Sequence, residues 1–132
     1  YDFSGKFTDL DSLFYVNIKS AVIGARTNKD DISKAVRLIE FFEDDPEKKL
    51  FIASFLIKFN DDMSVTVTKA IVMPTTWLPD IYVNPSNNGN LQSSKYKSLE
   101  ESVKRENKEF IVELKKEIEV AKVKRANKVK KA

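Results

Sequence analysis

Polar and apolar residues alternate from Ser12 to Ala25 (SLFYVNIKSAVIGA), with Phe14, Val16, Ile18 and Val22 on one face and Tyr15, Asn17 and Lys19 on the other. A period of two predicts a strand whose first face is buried and whose second is exposed. Gly24 closes it before the turn-like Arg26-Thr27-Asn28-Lys29. From Asp30 to Glu43 the apolar spacing becomes three and four, through Ile32, Ala35, Val36, Ile39 and Phe42. That spacing predicts a helix of about three turns, capped by Asn28 or Asp30. Glu40, Glu43, Asp44, Asp45 and Glu47 crowd its end around Pro46. Negative charge there opposes the helix dipole and needs another reason to be kept.

Leu50 to Phe59 is apolar on both faces, as a central strand is, and Asn60-Asp61-Asp62-Met63 turns the chain into SVTVTKAIVM at 64–73. A β-branched run after such a turn predicts a hairpin. The apolar phase of its second arm slips between Val65 and Val67 and Ala70 and Val72, which places a bulge near Lys69. Pro74 to Ser98 holds three of the four prolines and a Ser/Asn/Gly cluster, and reads as a long loop over 74–97. Ser98-Leu99-Glu100-Glu101 fits a capping box that opens a helix running to the end of the chain. At 100° per residue Leu99, Val103, Phe110, Leu114, Ile118 and Ala121 form one stripe, with Ile111 at its border. Glu100 with Lys104, and Glu101 with Arg105, stand in the favourable i,i+4 order. Residues 98 to 121 span about 36 Å of helix, as long as a body of 97 residues is wide, roughly 32 Å.

The expected architecture is α+β. A three-stranded, largely antiparallel sheet in the order strand, helix, strand, strand is covered by helix 30–43 and by the start of the long C-terminal helix. Residues 1–97 form the body and 98–132 the helix, basic from 122. Neither the double-stranded RNA-binding domain, which begins with a helix, nor the ferredoxin-like fold, which needs a strand after its second helix, has this order.

Charge changes the picture at one end. The 132 residues carry a net charge of +3, yet Lys122, Lys124, Arg125, Lys128, Lys130 and Lys131 supply +6, so residues 1–121 are mildly acidic. Arg125 and Lys128 occupy the sector where core residues would continue the stripe. The basic end is therefore expected to project from the body.

The chain has no Cys and no His, which removes disulfides, thiolate nucleophiles, Cys-rich zinc sites and the commonest general base. Aspartate pairs at 30/31, 44/45 and 61/62 sit at predicted turns and helix ends, where Asp serves the backbone. No metal and no cofactor is expected from them. Pro79-Asp80 with Glu106-Asn107-Lys108 imitates the PD…ExK nuclease pattern, but Glu106 falls in a predicted helix where that pattern needs a strand. Glycines at 5, 24 and 89 are too scattered for a phosphate loop. No catalytic residue is assigned, and no enzymatic activity is expected. Asn84-Pro85-Ser86 is barred from glycosylation by its proline, and no segment approaches the ~20 apolar residues of a membrane span. The chain opens on Tyr1 rather than Met, as a processed chain or a piece of a longer one would.

Binding remains. The six basic residues of the tail can neutralise phosphates, which makes nucleic acid the first candidate partner, RNA ahead of DNA. Anionic lipid fits less well, because Val and Ala opposite the charges anchor poorly. Trp77, flanked by prolines, and Tyr82 are candidate anchors for other polypeptides, as are Phe110, Leu114 and Ile118 on the long helix. The alternative expectation is a structural subunit whose tail meets an acidic protein surface, and a second copy of the chain is a further candidate partner. Tyr15, Asn17 and Lys19 on the exposed strand face resemble an RNA-reading triplet in composition only.

Overall fold

The first strand forms, and both of its sides are partly buried. In the computed structural model, which describes residues 1–6, 13–23, 30–45, 47–86, 89–94, 96 and 98–131, Tyr15 faces inward. Its ring meets Phe41 edge-on at 5.1 Å and packs against the core. Phe14, Val16 and Ile18 lie on the opposite side, where Val16 is buried as expected, Phe14 is half-buried and Ile18 is exposed.

The chain runs β1 (Phe3–Lys6), β2 (Leu13–Val22), β3 (Asp30–Lys34), α1 (Ala35–Asp44), β4 (Lys49–Phe59), β5 (Val65–Pro74), β6 (Tyr82–Asn84), β7 (Asn90–Ser93) and α2 (Asn107–Lys131). Short 3₁₀ turns occupy Thr75–Trp77 and Leu99–Glu101. The expected single three-stranded sheet is replaced by two sheets, one of four strands in the order β1-β2-β4-β5 and one of three in the order β3-β7-β6. β2 and β4 are parallel while the other pairs are antiparallel. Parallel neighbours need a crossover, and β3 with α1 supplies it.

Helix 30–43 is corrected to 35–44 for a reason no local pattern carries. Asp30 to Lys34 pairs with β7 some sixty residues away, Asp31 opposite Gln92 and Ser33 opposite Leu91. Ile32 still reaches the core, but from a strand. The helix starts after Lys34 in an extended conformation without a side-chain cap; Asn28 lies outside the described residues, and Val36 points to solvent. The crowded acid at the end of α1 is answered from outside the helix: Lys115 Nζ meets Glu43 at 2.8 Å and Lys48 Nζ meets Asp44 at 2.8 Å. That second contact lowers the Asp44 pKa and raises that of Lys48.

The β4–β5 hairpin and its bulge match the sequence. Leu56 faces Lys69 and Ile57 faces Val67, so Thr68 is the extra residue, and its hydroxyl donates to the Leu56 carbonyl at 3.1 Å. In the turn the Met63 amide donates to the Asn60 carbonyl at 3.1 Å, and Met63 takes φ 70°, 92% exposed. The Ser64 amide and hydroxyl both donate to Asp62 and hold its carboxyl below the usual range. A left-handed Met is strained where glycine is not. Met63→Gly is expected to stabilise the protein by about 0.5–1 kcal/mol, read as a higher urea midpoint; an unchanged or lower midpoint would refute the strained turn.

The long helix begins at Asn107, nine residues later than expected. The capping box exists, with the Ser98 amide donating to Glu101 Oε2 at 3.1 Å, but it caps only the 3₁₀ turn. Residues 102–106 are then extended along Thr75–Leu78, where the Val103 amide donates to the Trp77 carbonyl at 3.1 Å. Leu99 and Val103 consequently stay exposed. Arg105, expected to pair with Glu101, sets its Nε 3.0 Å from Glu113.

The core lies between the two sheets and the two helices. Leu50, Ile52, Ile71 and Met73 come from the larger sheet and Ile32, Val83 and Leu91 from the smaller. Phe42 of α1 and Phe110, Leu114 and Ala121 of α2 close it.

Candidate nucleic-acid interface

α2 buries Phe110, Leu114 and Ala121 along one side. One turn beyond Ala121 the same side carries Arg125, whose Nε donates to the Pro85 carbonyl at 3.0 Å. The neighbouring Lys124 sets its ammonium 5.4 Å from the centre of the Tyr82 ring. The basic end therefore does not leave the body at Ala121, as the absence of further apolar residues implied. An arginine can continue a packing stripe by laying its stem along the surface and hydrogen bonding at its tip.

Beneath it is the β6–β7 hairpin. Val83 and Leu91 point to the core, and Tyr82, Asn84, Asn90 and Gln92 alternate with them on the other side. Gly89 at φ 76° makes the return. Asn84 Oδ1 accepts from the Ser86 amide at 2.8 Å, Asn84 Nδ2 donates to Gln92 Oε1 at 3.2 Å, and Gln92 Nε2 donates to Asp31 at 2.6 Å. This row of ordered amides stood in the sequence only as a Ser/Asn/Gly cluster in a loop. Its signal was the absence of negative charge: no acidic residue occurs between Asp80 and Glu100, nor after Glu119. The helix end and the hairpin thus join two stretches without carboxylates.

The six tail cations are differently placed. Lys122 pairs with Glu119 at 3.2 Å, and both are well exposed, so the pair is weak and open to exchange. Lys124 and Arg125 face the hairpin, Lys128 is exposed, and Lys130 and Lys131 sit in the last turn with side chains outside the described set.

The candidate anchors divide. Phe110 and Leu114 have no exposed surface and are committed to the chain's own core. Ile118 and Trp77 are partly buried against that core, with Lys104 Nζ 5.7 Å from the Trp77 ring. Beside Trp77 a shallow groove of about 310 Å³ is bounded by Lys48, Lys49, Arg105 and Asn107. The Tyr15 triplet is half-buried rather than presented, because the Tyr15 ring lies between the tilted ring of Tyr1 and the edge-on ring of Phe41.

Of the carboxylates considered in the sequence, Asp45 and Asp62 accept backbone amides within their own turns. Asp80 accepts from the Ser93 hydroxyl at 3.0 Å and the Ser94 amide at 2.8 Å, fastening the Trp77 loop to the end of β7. Among the described residues no three carboxylates gather where a metal ion could bind, and no helix is long and apolar enough to cross a membrane.

These features define an α+β protein of two sheets with a basic helix end seated on a polar hairpin. No protein-family model matches the chain, and no curated protein is similar to it in sequence.

Proposed function

We propose that the chain is a non-enzymatic component of a larger assembly and binds nucleic acid through the basic end of α2. The observation that supports this reading is the seating of that end, through Arg125 and Pro85, on a hairpin that has no carboxylate of its own and borders the Gln92-bound Asp31 along its β3 edge. Cations position a phosphate backbone but carry no sequence information. Beside them Tyr82, Asn84, Asn90 and Gln92 offer a ring and amide groups, the chemistry that contacts unpaired bases, which favours RNA over DNA.

Binding of labelled single-stranded RNA and of DNA across a salt series tests the proposal. If all six cations meet phosphate on a single strand, log affinity falls against log salt with a slope of about −4. Changing Lys128, Lys130 and Lys131 to Gln is expected to flatten that slope by about 2. Equal affinity and slope for the two proteins would sink the proposal.

A second reading, a structural subunit that binds other polypeptides, draws support from a different place than the long helix and the Trp77 loop. It draws on the outer face of the larger sheet.

A further inference from the structure

The strand pattern that reads most plainly as buried in the sequence belongs to a face that no described element of this chain covers. Phe14, Val16 and Ile18 of β2 lie beside Phe51, Ala53 and Phe55 of β4 in register. Val72 and Ala70 of β5 continue the surface on the other side of β4, and Phe3 of β1 extends it beyond Val16. Val16 and Ala53 at its centre are buried though outside the core cluster, and around them Phe3 (46%), Ile18 (44%), Val67 (57%) and Val72 (56%) keep about half their surface in contact with water. Phe14 reaches over Gly5, where a Cβ would run into the tip of its ring.

We propose that this face packs against the same face of a second copy of the chain, sheet on sheet, to form a symmetric dimer. The proposal does not depend on nucleic-acid binding.

Size supports it. Three strands of 10, 11 and 10 residues, at a rise of ~3.3 Å and a spacing of ~4.8 Å, give a flat footprint of roughly 500 Å². Side-chain corrugation raises the accessible area above that footprint, toward the ~800 Å² per partner of a standard stable interface. Isolated apolar residues on a surface need no explanation, but a continuous patch of this extent does.

Charge chooses the occupant. Among the described strand positions on this side, the ionised residue is Lys49, partly buried at one end, and there is no carboxylate. Such a surface gives a different, charged partner nothing to recognise, whereas it is complementary to itself, as a two-fold interface requires. Faces of this kind stack about 10 Å apart with their strands within about 30° of alignment. Edge-to-edge pairing through β5 is the less suitable route, because Lys69 and the Thr68 bulge blunt that edge as protective devices do.

Sedimentation or light scattering on the full, nuclease-treated chain tests the dimer. The expected mass is twice the 15.1 kDa of one chain. Ile18 and Val72 flank Ala53 in one row across the face. Changing both to Lys places like charges across the interface and is expected to weaken self-association on the order of 100-fold. Because both side chains are half exposed, circular dichroism should be unchanged. Mixing this protein with the Ile18→Glu, Val72→Glu protein should restore a dimer of one copy of each. A wild-type chain that stays monomeric at 100 μM, on the order of the upper range of specific weak association, overturns the proposal and leaves the face to another polypeptide. A dimer that survives both substitutions overturns it too, because the interface then lies elsewhere.

Discussion

Phe110→Ala is expected to lower the stability of the protein by about 4 kcal/mol. The side chain is fully buried, on the first turn of α2, and meets Phe42 edge-on at 5.8 Å. Phe42 meets Phe41 at 5.4 Å, and Phe41 meets Tyr15 at 5.1 Å, so one file of aromatic rings connects α2 through α1 to the larger sheet. Removing the end of that file opens a cavity the size of a ring between the two helices, and little can collapse into it. The loss is a large share of the about 5–15 kcal/mol that holds a typical domain together. Val112→Ala, two residues away but 68% exposed, should change stability by less than about 0.5 kcal/mol. In a cycle with Phe42→Ala the two losses should fall short of additivity by about 1 kcal/mol, since the rings share one contact. Urea denaturation measures all of these. A Phe110→Ala loss under 1 kcal/mol, against the about 4 expected, would mean that α2 is not docked by this turn.

That docking also explains what the sequence could and could not disclose. The β4–β5 hairpin was legible because its partners are neighbours, joined by the Asn60 turn, and the phase slip that marks Thr68 is carried in the strand itself. The beginning of α1 was not, because Asp30 to Lys34 obeys β7, and nothing within ten residues records that pairing. β6 and β7 are three and four residues long, too short for a period to show. On β2 the alternation marks an apolar side on which Val16 is buried and Ile18 exposed, while Tyr15 on the other side packs on the core: a period of two shows that a strand has an apolar face, but not what covers it. The proposed site was half legible. Its cations stood out as a charge run, whereas their seat, the Pro85 carbonyl and the Tyr82 ring, lies about forty residues away in the chain.

Arg105→Ala is expected to cost about 3 kcal/mol, although the residue stands in neither helix and its sequence neighbourhood suggested only a surface ion pair. The side chain is 7% exposed, and one Nη donates to the carbonyls of Thr76 at 3.2 Å and Leu78 at 2.7 Å while Nε reaches Glu113 at 3.0 Å. Those carbonyls belong to residues that are themselves buried, so without the guanidinium they have no solvent to turn to. The same link holds the extended 102–106 segment to the Trp77 turn, together with the Thr76 hydroxyl, which donates to the Arg105 carbonyl at 3.3 Å. The carbonyl bonds outweigh the ion pair, because Glu113 is 49% exposed and water screens it. Glu113→Gln should therefore cost less than about 1 kcal/mol. Arg105→Lys should recover less than half of the alanine loss, since a single ammonium cannot hold two carbonyls and a carboxylate in one planar fork. Arg105→Met, which keeps the stem and removes the donors, should resemble Ala. If Met restored most of the stability, the stem's packing and not the hydrogen bonds would be what fastens the entry to α2.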